Sequence, residues 1–397
     1  MRCMLAFSKR AEIKNPIREV EDIARRLEER GKELIFLNIG DPLRYDFSPP
    51  AELAKALVSA VKNGKNYYAD SRGIKELREV IAEREKAKAD DVIITHGVSE
   101  AILFVMGAII SRGSEILVPG PTYSPYISYI RYFGGIPVEY KCDESNEWQP
   151  DLEDIEKKIT KRTRALVLIN PNNPTGAVYT KNVLKEIAEM GKERKLLIIT
   201  DEIYDKLVFD EHSEHVPFRS VAGDLPFVSL NGFSKSYMIT GWRIGYICFH
   251  NCDKSLEKIK SLVLNQAKFR LSACTPVQWA IAKFMKENEN EFKKFNEEIR
   301  RKLKRRARLV RSAMDKIGGL SLVPPKAAFY VFPKIEKRAW KNDKEFVLQL
   351  MEETGVVVVH GSGFGKFGEW RFRLVFLAEE EKLQRAMELI REFVEKA

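Results

Sequence analysis

Between residues 91 and 249 short apolar runs alternate with amphipathic stretches, and this rhythm restricts the folds open to the chain. The runs are VIIT (92–95), EILVPG (115–120), IPVEY (136–140), ALVLIN (165–170), LLIIT (196–200), FVSL (227–230) and IGYICF (244–249). Each is short enough for a strand, and helical patterns such as 98–110 and 122–133 lie between most of them. Alternation of this kind predicts an α/β fold, with a mostly parallel seven-stranded sheet covered by helices on both faces. Helices are also predicted over 16–30, 50–62 and 73–88, with a strand at LIFLNIG (34–40). After residue 275 the rhythm changes to long charged helices (276–316), followed by AFYVF (328–332), a helix over 343–354, VVVVH (356–360), RFRLVF (371–376) and a helix over 379–396. A smaller α+β unit is expected there, with the N-terminal helix packed against it.

The net charge of +10 raises the question of nucleic acid. Much of the excess lies in IRRKLKRRARLVR (299–311), which has no interleaved aromatic residues. Its apolar members Leu303, Ala307, Leu309 and Val310 fit one stripe of a helix with solvated flanks. No nucleic-acid partner is therefore expected. No apolar run reaches membrane-span length, and MRCMLAFSKRAEIK has neither the apolar length nor the cleavage site of a secretory signal. The five cysteines form no CxxC pair, so reduced thiols in a cytoplasmic protein are expected.

Ligands of parallel sheets gather at strand C-termini. Four polar clusters fall there: Thr95-His96-Gly97, Asn170–Gly176, Asp201-Glu202 and Lys235. Lys235 sits in NGFSKSYMITGWRIGY (231–246) between apolar flanks, with Arg243 eight positions on. Burial removes the hydration of an ammonium, lowers its pKa and leaves a nucleophilic amine. Such an amine near an arginine suits a Schiff base with a carbonyl compound that carries an anionic group, such as pyridoxal phosphate; the alternative is a solvated turn. Asp201, at a buried strand end, needs a partner, which a pyridinium N–H would supply. Tyr204 could reach the same ligand, and Glu202 is read as a structural partner. Asn173 in NPNNPTG is placed to donate into the crevice, although these residue types also favour turns. THGVSEA (95–101) offers a helix N-terminus and Ser99 as an anion site. Tyr123 could stack on a flat ring or fill the core. HGSGFG (360–365) is not followed by a helix and is not read as a dinucleotide site. His212 and His215 lack a third ligand and are read as surface residues, with no metal expected. Arg371 and Arg373 share one strand face, where at least one should meet a carboxylate.

Taken in order, SKSYMITGWRIGY, NPNNPTG, DEIYD and the Arg373 strand resemble the fold-type-I, pyridoxal-phosphate-dependent aminotransferases of class I/II. LNIGDP, NYYADSRG, CDESNEWQPDLEDI and NPNNPTGAVY look most like the alanine (glutamate–pyruvate) aminotransferase branch. The resemblance implies that Lys235 bears the cofactor, that Asp201 pairs its ring nitrogen, and that Asn173 and Tyr204 hold its phenolic oxygen beneath Tyr123. It implies a phosphate site from Val98, Ser99, Ser234 and Arg243, with Tyr68 reaching the cofactor of a neighbouring subunit. Arg373 would hold the substrate α-carboxylate beside Gly40 and Asn173, with Arg371 as the alternative.

Two departures bear on substrate. Ser99 stands where one group of aspartate aminotransferases has a lysine. Ala11 and Lys14 stand where the alanine branch often has tyrosine and arginine; Lys14 could still meet a distal carboxylate. The resemblance implies a large cofactor-binding domain over 46–285 and a small substrate-closing domain from 1–45 plus 286–397. It further implies a cytoplasmic homodimer with shared sites, moving an amino group between an L-amino acid and a 2-oxo acid, with alanine and 2-oxoglutarate as the first pair. Aspartate or aromatic aminotransferases are the near alternatives, then a C–S lyase of the same fold. A basic nucleic-acid-binding regulator on this fold is a distant one, since no added helix-turn-helix is present.

Overall fold

The computed structural model describes residues 9–13 and 16–397. Helix α1 (Pro16–Glu28) leads to strand β1 (Ile35–Phe36); α2 (Ala51–Lys62) and α3 (Lys75–Glu85) follow. Then β2 (Val92–Thr95), α4 (Gly97–Ile109), β3 (Glu115–Gly120), α5 (Ser124–Tyr132), β4 (Ile136–Asp143), β5 (Gln149–Pro150), β6 (Thr163–Ile169), β7 (Leu197–Asp201), β8 (Phe227–Gly232) and β9 (Gly245–His250) build one eight-stranded sheet. Its order is β2-β9-β8-β7-β6-β3-β4-β5. The central pairs β4·β3, β3·β6, β6·β7 and β7·β8 are parallel, whereas β9 runs against both its neighbours. The seven expected strands are all present. The eighth, β5, is a two-residue edge strand paired with Cys142 and Asp143, too short to show as an apolar run.

Every residue of β2, β3, β8 and β9 is buried, as a sheet covered on both faces requires. Ile93, Val118, Val167, Ile199 and Val228 pack with α4 and the helix Lys254–Arg270 on one face; Leu117, Leu166, Leu168, Ile198 and Phe227 pack on the other. The charged stretch over 276–316 folds as two helices, Thr275–Glu287 and Glu289–Met314, and the basic run 299–311 lies in the second. Leu303, Ala307 and Val310 are buried along the second, as the stripe predicts, while Leu309 is partly buried. Arg306, on the same helix, is buried and binds Asp46 at 2.8 Å.

Strand β1 pairs with Val356–Val357, matching Ile35 to Val356, so the N-terminal segment joins the C-terminal one. Helix α1 buries Val20 and Ala24 against Met351 and Val357, the packing expected of it. A three-stranded antiparallel sheet, Tyr330–Val331, Phe372–Val375 and Val359–His360, places Arg373 beside the C-terminal ends of the large sheet.

Candidate active site

The C-terminal ends of β2, β6, β7 and β8 open into one cavity of about 630 Å³. Gly40, Val98, Ser99, Tyr123, Asn173, Asp201, Tyr204, Ser234, Lys235, Arg243 and Arg373 all line it. Eleven of the residues singled out in the sequence are thus brought together. Tyr68 is not among them: it is 82% exposed, on the surface of the chain. Lys14 lies outside the described residues.

The anion corner starts at Gly97, which turns the chain from β2 into α4 at φ +74°. A Cβ at that position would come 2.7 Å from Arg243 Nη2. Glycine thereby lets the guanidinium lie against the helix N-terminus, where the Val98 and Ser99 N–H groups have no partner within the helix. Arg243 donates to the Thr240 carbonyl (3.0 Å) and the His96 carbonyl (3.4 Å), and it makes no ion pair among the described residues.

Lys235 Nζ donates to the Gly40 carbonyl at 2.6 Å and lies 5.5 Å from the centre of the Phe329 ring. Burial pushes the amine down from 10.5 to about 8; Asp41 acts against this, and Arg243 and Arg373 add to it. Asp201 ends β7, and among the described residues it has no cationic partner. Burial raises its carboxyl to about 6, although the Tyr126 hydroxyl (3.0 Å) and the Ile203 N–H (3.3 Å) donate to it. Tyr123 is half-buried, and the desolvation of its hydroxyl pushes that group up to about 12.

Arg373 is buried, donating Nη1 to Asn173 Oδ1 (3.1 Å) and Nη2 to the Asn38 carbonyl (2.6 Å). Its guanidinium lies 4.6 Å from the Tyr330 ring centre and 4.8 Å from that of Phe364. It meets no carboxylate among the described residues, and burial holds its pKa below the usual value. Arg371 is the one that finds the expected carboxylate: it grips Glu144 with both terminal nitrogens. Arg371 is thereby committed, and Arg373 is the arginine of that strand facing the cavity.

Two expectations on DEIYD and its neighbours resolve differently. Glu202 is structural as read: Oε1 accepts the Phe218 N–H at 3.1 Å, and burial lifts the group to about 8. His215 is not a surface residue. Its side chain is only 8% exposed, folded 3.5 Å from Glu202, and burial pushes it down to about 4. His212 is exposed, as expected.

The sequence reading missed Tyr330, whose hydroxyl lies 2.7 Å from that of Tyr204. It also missed Tyr126 beneath Asp201 and two arginines at the cavity edge, Arg18 and Arg44. Only the tyrosine in the apolar run AFYVF offered a signal, as a hydroxyl on an otherwise apolar strand.

The sheet order and the strand-end lysine, carboxylate and arginines define a fold-type-I aminotransferase. The family model for aminotransferase class I and II matches residues 32–390, and the chain belongs to that family. It is 36% identical over 388 residues to the glutamate-pyruvate aminotransferase AlaA of Haemophilus influenzae, with 94% of this chain and 93% of the relative covered. The alanine aminotransferase from Pyrococcus furiosus superposes with a TM-score of 0.95 at 43% identity, over 99% of this chain and 100% of that one. The aspartate aminotransferase from Thermus thermophilus with maleate superposes at 0.90 and 32% identity, over 98% and 100%. The family is generally dependent on pyridoxal phosphate. Among the described residues no helix is long and apolar enough to cross a membrane.

Proposed function

We propose that this aminotransferase moves the amino group of alanine to 2-oxoglutarate, using pyridoxal phosphate held at Lys235. The observation that carries the reading is Arg373, a buried guanidinium that faces the cavity and meets no carboxylate among the described residues. A buried cation with no counter-ion is costly, and a substrate α-carboxylate would satisfy it.

The cavity suits the cofactor on the same kind of argument. Asp201 has no cation beside it among the described residues, and a protonated ring nitrogen would favour its charged form. Val98, Ser99, Ser234 and Arg243 form a cradle fit for a phosphate, Tyr123 would face the ring, and Asn173 and Tyr204 would meet its phenolic oxygen. When bound there, pyridoxal phosphate supplies the electron sink for the pair left on the substrate Cα.

The remaining chemistry belongs to the chain. Arg373 and Asn173 orient the α-carboxylate, with Gly40 beside them. Lys235, its amine eased toward neutrality by burial, would take the proton from Cα as base and hand it on as acid to the carbon that the cofactor presents, its C4′. The rings of Tyr123, Tyr204 and Tyr330, which line the cavity, would shield that transfer from water. The first oxo acid would depart without its amino group, which the enzyme keeps in the pyridoxamine form of the cofactor until the second oxo acid takes it, so ping-pong kinetics are expected.

The work divides between a large domain over 46–285 and a small closing domain of 1–45 plus 286–397. Tyr68 and its exposed neighbours Tyr67, Phe269 and Leu271 support a homodimer in which Tyr68 serves the partner subunit's site. Amino acids and 2-oxo acids are the partners, in the cytoplasm. The names of the Haemophilus and Pyrococcus proteins and the serine at position 99 support alanine over aspartate as donor. A scan of amino acids for conversion of the bound pyridoxal to the pyridoxamine form tests this. Alanine and glutamate should react fastest; faster conversion by aspartate or an aromatic amino acid would overturn the choice of donor.

A further inference from the structure

Two cations at the edge of the cavity have no task in this reading. Arg18, on α1, and Arg44, in the short turn Pro42–Arg44, both line it. Both side chains are more than half exposed, 62% and 51%. Both turn to a single carboxylate. Arg18 Nη1 binds Glu21 Oε2, and Arg44 Nη2 lies 3.6 Å from Glu21 Oε1. Glu21 itself is only 15% exposed, so it is the fixed member of the group. Arg44 Nε is also 3.9 Å from Asp41 Oδ2. Asp41, however, is engaged more closely by Thr240 Oγ1 at 2.6 Å and the Leu43 N–H at 3.2 Å. Neither contact of Arg44 is a hydrogen bond, and among the described residues its five N–H donors are unspent.

The backbone fixes where these donors sit. Asp41 caps the turn that carries Arg44, and Pro42 opens it. Arg44 therefore stands four residues beyond Gly40, whose carbonyl Lys235 already holds at 2.6 Å. Of the other cations lining the cavity, Lys235 faces the reacting carbon, Arg243 the phosphate corner, and Arg373 the α-carboxylate.

We propose that Arg44, with Arg18 beside it and Glu21 positioning both, binds the second carboxylate of a dicarboxylic substrate, glutamate or 2-oxoglutarate. This rests on the assignment of Arg373 to the α-carboxylate. The arrangement also explains how one cavity accepts two substrates that differ in charge. A deeply buried guanidinium without its partner would penalise alanine, which has no second carboxylate. Arg18 and Arg44, solvated and already near Glu21, carry no such penalty when the distal carboxylate is missing.

The test compares half-reactions of wild-type, Arg44→Ala and Arg44→Lys holoenzymes with glutamate and alanine, and measures binding of glutarate, a dicarboxylate without an amino group. Arg44→Ala should lower the glutamate-to-alanine ratio of kcat/KM at least tenfold and weaken glutarate by a similar factor. Arg44→Lys should restore only part of both, since a point charge replaces a fork. Arg18→Ala should act in the same direction, more weakly. An unchanged ratio with unchanged glutarate affinity, or equal losses on both amino acids, overturns the proposal. Failure of the wild-type enzyme to convert either amino acid would instead overturn the functional reading, and the glutarate comparison would still decide the role of Arg44.

Discussion

The hydroxyls of Tyr204 and Tyr330 lie 2.7 Å apart, one from the loop after β7 and the other from the small antiparallel sheet. Both are buried, and burial raises both phenols above their ordinary value. The Tyr330 ring also lies under Arg373, 4.6 Å from its guanidinium. One side chain thus touches the group proposed for the cofactor's phenolic oxygen and the group proposed for the α-carboxylate. Tyr330→Phe keeps the ring under Arg373 and removes only the hydroxyl. The half-reaction with alanine should slow roughly tenfold, the worth of about one hydrogen bond, with little change in Tm. A rate equal to wild type would show that Tyr204 needs no partner there.

Arg371 and Arg373 are two residues apart, yet they should respond differently to the same substitution. Arg373→Lys replaces a fork aimed at a carboxylate with a point charge and should lower kcat/KM for every amino acid by roughly 100-fold. Arg371→Lys loosens a grip on Glu144, which is 30% exposed, and should cost about 1 kcal/mol of stability or less while leaving KM alone. Matching kinetic losses in both variants would contradict the division of labour.

For Asp201 the expected loss lies in the chemical step. Asp201→Ala removes the carboxylate that a protonated ring nitrogen would meet. The half-reaction should slow by about two orders of magnitude or more, with a smaller change in substrate affinity. Near-normal turnover would remove Asp201 from the mechanism.

The lysine gives a pH prediction in the cofactor-free enzyme. Its amine is held near 8 rather than 10.5, mainly by burial. Below pH 8 the folded state carries a buried ammonium. Between 8 and 10.5 the unfolded chain binds the proton and the folded chain does not, so stability rises with pH in that window. Cofactor-free Lys235→Met should therefore be more stable than the wild type at pH 7, and the gap should close as pH climbs from 8 toward 10.5. Urea melts at several pH values check this; a gap that does not change with pH would mean that the lysine is solvated, and one that widens would mean that an anion holds its ammonium.

Much of this site was legible in the sequence because one rule places polar groups at the ends of buried strands. Lys235, Asp201, Asn173 and Ser99 each follow an apolar run, and each reaches the cavity. What local pattern could not show depends on partners far along the chain. The run VVVVH reads as one strand, but Val356–Val357 pairs with β1 and Val359–His360 with Phe372–Arg373, because two different segments flank it. His215 lies in a polar stretch and looks solvated; in the fold it turns inward to within 3.5 Å of Glu202, a neighbour thirteen positions earlier in the chain. Tyr330 and Arg44 line the cavity beside Tyr204 and Glu21, neighbours distant in the chain that no spacing within their own segments reveals.

Reductive trapping of the holoenzyme tests the central claim most directly. Borohydride should fix a pyridoxyl group on the protein, and peptide mapping should find it on Lys235 within the SKSYMITGWR segment, with Lys235→Ala taking up no stable label. A label on any other lysine, or full transamination by Lys235→Ala, would contradict the account.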